Sequence, residues 1–499
     1  MDFFKQRFQY LFQSTKGLVL VAIALISLVT AIWGMLSGPM VEWGMRDLTV
    51  KLLGMKLLAA EREGRIIMLY HVIAMAVLAI EVYLITSIVP MKRHQQSMIN
   101  ATVTFGYILT MVFGLRFAYF GHNFVFHGLF LFGLSLMFFA GLHLALALWP
   151  WRKEYYVTDF GYAHGRHGLD LERLAFFVMA VATLGSAMFG AVSGSYWGNG
   201  HETFLAEDLI REPHKNALQL AIIGHLHIML TLIAIAITLV IGRWFDFKGI
   251  FHKIAMPLMI VGTIVITIGV WAVVPFEPIA HTIIYGGSVL VMLAALMLVI
   301  YGWRKLIHEN RQLVKPGFAQ GLRALLHDPL KFGPLWQMVF MNFTVSGVGI
   351  FMAVKLDDIF RVWPAREERI TLTGHWHILS AIIATIILLY FADMCGLKGK
   401  ARKWFGWSVI LFSDLAFASV TVFSMKRLFL AEYYQQTVVN WTMIFADIGL
   451  AMVLVVLAIL LLWRLFDLFK GDGLWKKQLD RPEVAMNRTA SAKREEVAE

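Results

Sequence analysis

Five histidines lie in three short motifs that recur along the chain at nearly constant spacing. They are His71, His225, His227, His375 and His377. The first histidines of successive motifs are 154 and 150 residues apart, and each motif lies near the beginning of a long apolar run. An imidazole inside a membrane span costs free energy unless it has a partner, so intramembrane histidines mark functional sites. Their recurrence therefore predicts a shared site for a cofactor or an ion.

The spacing inside the two His-x-His pairs restricts what they can bind. Residues i and i+2 of a helix point about 200° apart, so one pair cannot chelate one ion from a single face. Zinc sites on one helix use i, i+4 spacing instead. Axial histidines reach haem iron from separate helices, and one further hydrogen bond satisfies an iron-bound imidazole. We therefore expect haem ligands. The alternative is that these histidines are polar packing residues that hydrogen-bond across a helix bundle.

The composition explains how such helices are positioned. The chain has 499 residues, of which 59% are hydrophobic and only 15% charged, which excludes a soluble globular protein. Apolar runs of about 20 residues, long enough to cross a membrane, predict an all-α polytopic protein with twelve transmembrane helices. The predicted spans are 17–37, 66–90, 99–119, 124–149, 172–194, 217–241, 253–275, 280–303, 335–355, 370–394, 405–425 and 440–464.

The charged residues predict an orientation rather than a nucleic-acid partner. The net charge is +11, but the basic residues cluster in short loops on alternate sides, so that both termini are predicted to be cytoplasmic. The single cysteine, Cys395, excludes intramolecular disulfides and four-thiolate metal sites. We expect this thiol to be an inert, small apolar residue at a helix end.

The orientation places the three histidine motifs at one level in the outer leaflet, on spans two, six and ten. Equal depth on every fourth helix predicts three repeats of a four-helix unit in a pseudo-threefold arrangement. The predicted units are about 17–150, 172–303 and 335–465, inside a membrane domain 1–470. Residues 471–499 are charged and lack apolar periodicity, so they are predicted to form a cytoplasmic polar tail.

The motifs and the topology resemble the catalytic subunits of haem–copper oxygen reductases and nitric oxide reductases. The motif at 374–377 is similar to that family's tenth-span His-x-His. The resemblance implies that His375 binds a high-spin haem and His377 a low-spin haem. It also implies that His71 is the second-span ligand of the low-spin haem.

Lys426 and Arg427, between spans eleven and twelve, fall where this family has a basic pair near the haem propionates. The alternative is that they are solvated loop charges. The family's seventh span carries an adjacent histidine pair that binds copper or non-haem iron. Span seven here has no such pair, and the nearest histidine, His252, lies at the cytoplasmic end. The expected cofactor is therefore haem b without copper.

The threefold pattern predicts which histidines share a haem. His377 is expected to pair with His71 on one haem, and His375 with His227 on a second. Both haems would then be six-coordinate. On the second haem, a histidine would occupy the position at which the reductases that this chain resembles bind gas.

This pairing leaves His225 facing a third gap between helices. There it either binds a third haem, with His122 or His127 as the second ligand, or hydrogen-bonds a polar neighbour. The chain is thus expected to hold two or three b-type haems.

Three functions remain open at this stage. The first is a respiratory-chain cytochrome, an oxidoreductase subunit that transfers electrons through bis-histidine haems. The second is a copper-less haem reductase of nitric oxide, oxygen or another small molecule. The third is a repeat-built transporter with a histidine ion site.

The resemblance also implies partners and a location. The expected location is a bacterial or archaeal cytoplasmic membrane, where the chain would be part of a multi-subunit complex. The expected partners are a cytochrome c-type or other periplasmic electron-transfer subunit and lipid, with a quinone as a further candidate. No nucleic acid is expected.

Overall fold

The computed structural model describes residues 2–37, 39–41, 43–57, 62–159, 161–164, 168–197 and 217–479. Within these residues twelve helices are long and apolar enough to cross a membrane. The prediction of an all-α polytopic membrane protein with twelve spans is therefore confirmed. In the same part of the chain, the only sheet is a two-residue antiparallel ladder between β1 (Ala163–His164) and β2 (Leu169–Asp170).

The helices are numbered in chain order. They are α1 Asp2–Gln13, α2 Thr15–Leu36, α3 Met45–Leu53, α4 Arg62–Ile88, α5 Arg93–Phe120, α6 Phe124–Ala147, α7 Leu171–Trp197, α8 Ala217–Trp244, α9 Ile250–Trp271, α10 Val273–Asn310, α11 Gln320–Leu325, α12 Pro329–Phe340, α13 Val348–Val354, α14 Ala365–Met394, α15 Gly399–Phe429, α16 Glu432–Phe469 and α17 Leu474–Leu479. Spans one to eight are α2 and α4 to α10. Span nine is α12 with α13, and spans ten to twelve are α14 to α16.

The ends of the spans follow local chemistry that hydropathy alone does not reveal. The side chain of Asn123 accepts hydrogen bonds from the backbone N–H groups of Val125 and Phe126 and so caps the beginning of α6. Span nine differs from the unbroken run that the sequence predicts, because Met341–Gly347 is π-helical. Such segments are rare and occur frequently at functional sites.

Three helix hairpins pack through small residues at corresponding places in the chain. Spans three and four, seven and eight, and eleven and twelve each form an extensive helix pair. In each pair two small residues lie against each other: Gly106 and Gly133, Gly262 and Gly287, and Ala416 and Gly449. Small residues let helix backbones approach closely in a membrane, where packing rather than hydrophobic burial drives association. The first members of these contacts are 156 and 154 residues apart, which matches the histidine spacing and is what a four-helix repeat predicts.

The first and last described helices, α1 and α17, meet at one face of the bundle, which we call the terminal face. Tyr10 of α1 donates a hydrogen bond to Oε1 of Gln478 in α17 at 3.0 Å. Arg464, which is fully buried, donates to Tyr10 Oη at 2.6 Å and to Asp467 at 3.0 Å. The buried Trp475 completes this cluster.

The cluster includes residues of the predicted polar tail. Residues 474–479 form a helix that packs against α1 and α16, and the domain boundary at residue 470 stays a prediction. Residues 480–499 lie outside the described part of the chain. Because span one begins at the terminal face, the even-numbered spans run towards it from the opposite face, near which the histidine motifs lie.

Candidate functional site

The structure places the three histidine motifs at similar depth near the opposite face. His71, His225 and His375 follow the first residues of α4, α8 and α14 by nine, eight and ten positions, which is about 12–15 Å along each helix. Span six packs against both span two and span ten. The motifs therefore lie side by side, as the sequence predicts.

His71 and His225 face each other between spans two and six. Their ring centroids are 6.5 Å apart, and the ring planes differ by 23°. Nδ1 of His71 lies 2.8 Å from the backbone oxygen of Ile67, and Nδ1 of His225 lies 3.0 Å from that of Ser186. A carbonyl oxygen can only accept a hydrogen bond, so both Nδ1 atoms must donate. In each neutral ring Nε2 then carries the lone pair that could bind a metal.

The separation of these two rings is compatible with two ligands of one haem. A metal–nitrogen bond of about 2 Å and an imidazole radius of about 1.1 Å would place two opposed ring centroids about 6.2 Å apart. The observed 6.5 Å agrees with that separation. Metal-bound histidines commonly donate their other N–H to a backbone carbonyl, which fixes the tautomer and the ring orientation. Ile67 and Ser186 provide such carbonyl groups.

The first histidine of each His-x-His pair lies in a notch made by a glycine on the preceding span. A Cβ atom at Gly190 in span five would lie 2.8 Å from Nε2 of His225. A Cβ atom at Gly349 in span nine would likewise lie 2.8 Å from Nε2 of His375. Both are closer than van der Waals contact allows, so only glycine leaves room for either imidazole. The two repeats therefore hold their first histidines in equivalent positions.

The second histidines face other neighbours. The indole Nε1 of Trp376 in span ten donates to Nε2 of His227 at 2.8 Å. Nδ1 of His227 donates to the Ile223 carbonyl oxygen at 3.0 Å. Both ring nitrogens of His227 are thus engaged. The exposed ring of His377 lies 6.5 Å from that of Tyr70 in span two.

These contacts bear on the predicted ligand pairs. His377 faces span two, as its predicted pairing with His71 requires, but the ring beside His71 is that of His225. The helix that carries His375 contacts His227 through the next residue, Trp376. His227, however, would have to release Trp376 before its Nε2 could bind iron. The structure therefore offers His71–His225 as the best-formed pair, and the His375–His227 pair stays a prediction.

His375 also borders a small cleft between spans nine, ten and eleven. The cleft has a volume of ≈ 10 Å³, which is about enough for one water molecule. Its lining includes Val345 of the π-helical segment, Thr371 and Ser424. Ser424 is only 4% exposed, and its hydroxyl oxygen has no hydrogen-bond partner among the described residues.

The predicted basic pair lies at the end of span eleven. Nζ of Lys426 lies 2.5 Å from a carboxylate oxygen of Glu367, so this lysine is already neutralised. Nε of Arg427 is buried without a hydrogen-bond partner in the described structure. Of the two, Arg427 therefore fits the predicted contact with a haem carboxylate better.

The two candidate ligands for a third haem lie apart from His225. The rings of His122 and His127 contact each other, with 5.6 Å between centroids. Phe130 lies between this pair and His71, at 6.4 Å from His127 and 6.0 Å from His71. Ser186, Gly190, Gly349 and Trp376 were not predicted from the sequence. The one available signal was that each of the two glycines lies in the span that precedes a His-x-His span.

No family model matches this chain, and no curated protein matches it. The likeness to the haem–copper and nitric oxide reductases therefore rests on the histidine motifs and on the order of the spans.

Proposed function

We propose that this chain is a membrane cytochrome in which His71 and His225 are the axial ligands of a b-type haem. The observation that carries the proposal is the His71–His225 pair, with its 6.5 Å separation and both Nδ1 atoms held by carbonyl oxygens. Bound haem would supply a reversible one-electron couple. Two histidine ligands leave no open iron position, which favours electron transfer over gas chemistry.

The protein contributes position and environment to that site. The carbonyl groups of Ile67 and Ser186 hold the two rings in one tautomer. Ser186 is fully buried, and its hydroxyl oxygen accepts a hydrogen bond from Nε1 of Trp271 at 3.3 Å. The carbonyl group that orients His225 thus belongs to a residue that is itself fixed by packing, which limits reorganisation when charge changes at the site.

A second haem on span ten remains part of the proposal. His375 and His377 project from the same level towards spans nine and two, and Arg427 offers a buried donor for a propionate. We propose that no copper is involved. We also propose that the terminal face is cytoplasmic, because the basic loops of the sequence lie on that side.

The partners follow from that orientation. The histidines would lie near the periplasmic face, so the proposed electron donor is a periplasmic cytochrome c-type or other electron-transfer subunit of the same complex. A quinone or a further subunit would accept the electrons. The proposal of these partners is supported by the family resemblance and by the proposed orientation in the membrane.

Spectroscopy of purified protein tests the proposal. A reduced-minus-oxidised spectrum should show sharp b-type bands that do not shift with carbon monoxide. His71→Ala and His225→Ala should each abolish the same low-spin signal. His143→Ala is the matched control, because His143 packs on Phe139 in span four, away from the motifs. A folded but colourless protein, or loss of the signal in only one of the two variants, would overturn the proposal.

One observation favours a second candidate function, reduction of a small molecule at haem. His375 borders a cleft that is also lined by Ser424, whose buried hydroxyl oxygen has no hydrogen-bond partner among the described residues. A haem held by His375 alone would keep one axial position for a ligand. Carbon monoxide distinguishes the two functions, because a shift that disappears in His375→Ala would assign gas binding to that histidine.

The transporter hypothesis receives no comparable support. Among the described residues, no group of three or more histidine, cysteine, aspartate or glutamate side chains could hold a metal ion. Span nine is interrupted by a π-helical segment, but that feature borders the His375 cleft rather than a multidentate ion site.

A further inference from the structure

The opposite face carries a second histidine pair that the haem proposal does not use. His122 lies in the turn between spans three and four, and His127 lies in the first turn of α6. His122 is exposed and His127 is half-buried. Their ring centroids are 5.6 Å apart, and the ring planes are inclined at 72°.

Both rings rest on one buried aromatic side chain. Phe117, which is 2% exposed, lies 5.1 Å from His122 and 5.8 Å from His127 between ring centroids. Asn123, between the two histidines, fixes the intervening turn by capping α6. The relative position of the two imidazoles is therefore set by packing and by the backbone, which reduces the entropy lost when both bind one ligand.

The separation of the two rings is compatible with a shared metal ion. With a metal–nitrogen bond of about 2.0–2.1 Å, a ring centroid lies about 3.2 Å from the metal. Two centroids 5.6 Å apart then subtend an angle of about 120° at the metal. That angle suits neighbouring ligands of a tetrahedral or trigonal ion, whereas the 6.5 Å between His71 and His225 suits opposed ligands.

We propose that His122 and His127 together bind a transition-metal ion that accepts imidazole ligands in tetrahedral geometry, such as Zn²⁺. Within the described residues no third histidine, cysteine or carboxylate completes the site, so solvent would fill the other positions. The nearby positive charge of Arg116 is held against aromatic rings, with its guanidinium carbon 4.5 Å from the Phe120 centroid and 5.2 Å from that of Phe126.

The proposed metal site lies close to the proposed haem site, but metal binding there does not require haem. A row of rings leads from His122 through His127 and Phe130 to His71. A metal ion on the pair would lie at the exposed end of that row, on the face proposed to receive electrons. Zn²⁺ binding needs no electron transfer, so the site can be tested whether or not haem binds to His71.

The test measures metal binding by the purified full-length protein in detergent. Calorimetric titration with Zn²⁺ should show one site that His122→Ala and His127→Ala each weaken by about tenfold or more, since each removes one ligand. His122→Asn is a milder variant at the exposed position and should weaken the site to the same extent. His143→Ala, in the same helix as His127 but packed on Phe139, should bind Zn²⁺ like the unmodified protein.

Electron paramagnetic resonance with one equivalent of Cu²⁺ provides a second readout, because hyperfine coupling counts the bound nitrogens. Two imidazole nitrogens are expected in the unmodified protein and one in each single variant. Each sample is checked for folding by its elution volume and for haem by its spectrum. The proposal is overturned if Zn²⁺ binds the double variant as tightly as the unmodified protein. It is also overturned if only one of the two histidines matters.

Discussion

The imidazole of His225 lies against the α-carbon of Gly190 on the preceding span, where a methyl group would overlap the ring. Gly190→Ala should therefore displace His225 and cost about 1–3 kcal/mol of stability through overpacking. Haem content should fall with it, because His225 would no longer face His71. Gly286→Ala is the matched control, since a Cβ atom there meets nothing within 4 Å. Haem content and the thermal unfolding midpoint, measured for both variants, check this expectation. Equal haem content and equal unfolding midpoints in the Gly190→Ala and Gly286→Ala variants would contradict this expectation.

His227 should be dispensable for the haem that His71 and His225 hold. Its Nε2 already accepts the indole N–H of Trp376 at 2.8 Å, and a glutamine at 227 can still accept such a bond. We expect His227→Gln to retain the low-spin signal that His225→Gln loses. Quantitative haem extraction from the two variants measures the difference. If His227→Gln loses as much haem as His225→Gln, the predicted His375–His227 pair would be favoured instead.

The twelve spans and the common depth of the histidines could be predicted, because bilayer thickness sets the length of an apolar run and helix rise converts sequence position into depth. The rotation of each helix about its axis could not. That rotation is fixed by contacts such as that between Gly106 and Gly133. The sequence shows where a small residue lies in a span, but not which residue of another helix it contacts. This is why His225, rather than the predicted His377, is the ring found beside His71.

Two further features escaped prediction for different reasons. In a hydropathy pattern a tryptophan counts only as a large apolar residue. The hydrogen bond from Trp376 to His227 therefore could not be predicted from the sequence. The helix at 474–479 was missed because its surroundings are charged, and six residues give too short a period to recognise. The single Trp475, buried against Tyr10, was the available clue.

Arg464 should be essential to the stability of the terminal face. It is fully buried and bonded to both Asp467 and Tyr10. Arg464→Leu leaves the Asp467 charge without this partner, and loss of one member of a buried ion pair costs about 3–5 kcal/mol. Arg323→Leu, at an exposed position in α11, should change stability by less than about 0.5 kcal/mol. Thermal unfolding in detergent should therefore show a large drop in midpoint only for Arg464→Leu, and similar midpoints would refute this role.

Cys395 should be an unreactive thiol at neutral pH. Burial raises its pKa from 9.0 to about 12, although the positive charges of Arg464 and Lys16 oppose the shift. The folded state thus disfavours the thiolate. This contribution to stability is complete below pH 9 and is lost as the pH rises towards 12.

Maleimide labelling checks the expected reactivity of that thiol. Cys395 should be labelled slowly at pH 7.5 in folded protein and rapidly after denaturation. Ser97→Cys in a Cys395→Ser background provides an exposed thiol for comparison. Labelling of native Cys395 as fast as that of the exposed thiol would contradict its burial.

The most direct test of the central claim is an experimental density map of the purified protein at the gap between spans two and six. We predict planar porphyrin density there, with the iron bound by Nε2 of His71 on one side and Nε2 of His225 on the other. A map of folded protein in which those two imidazoles contact only side chains, lipid or water would contradict the claim.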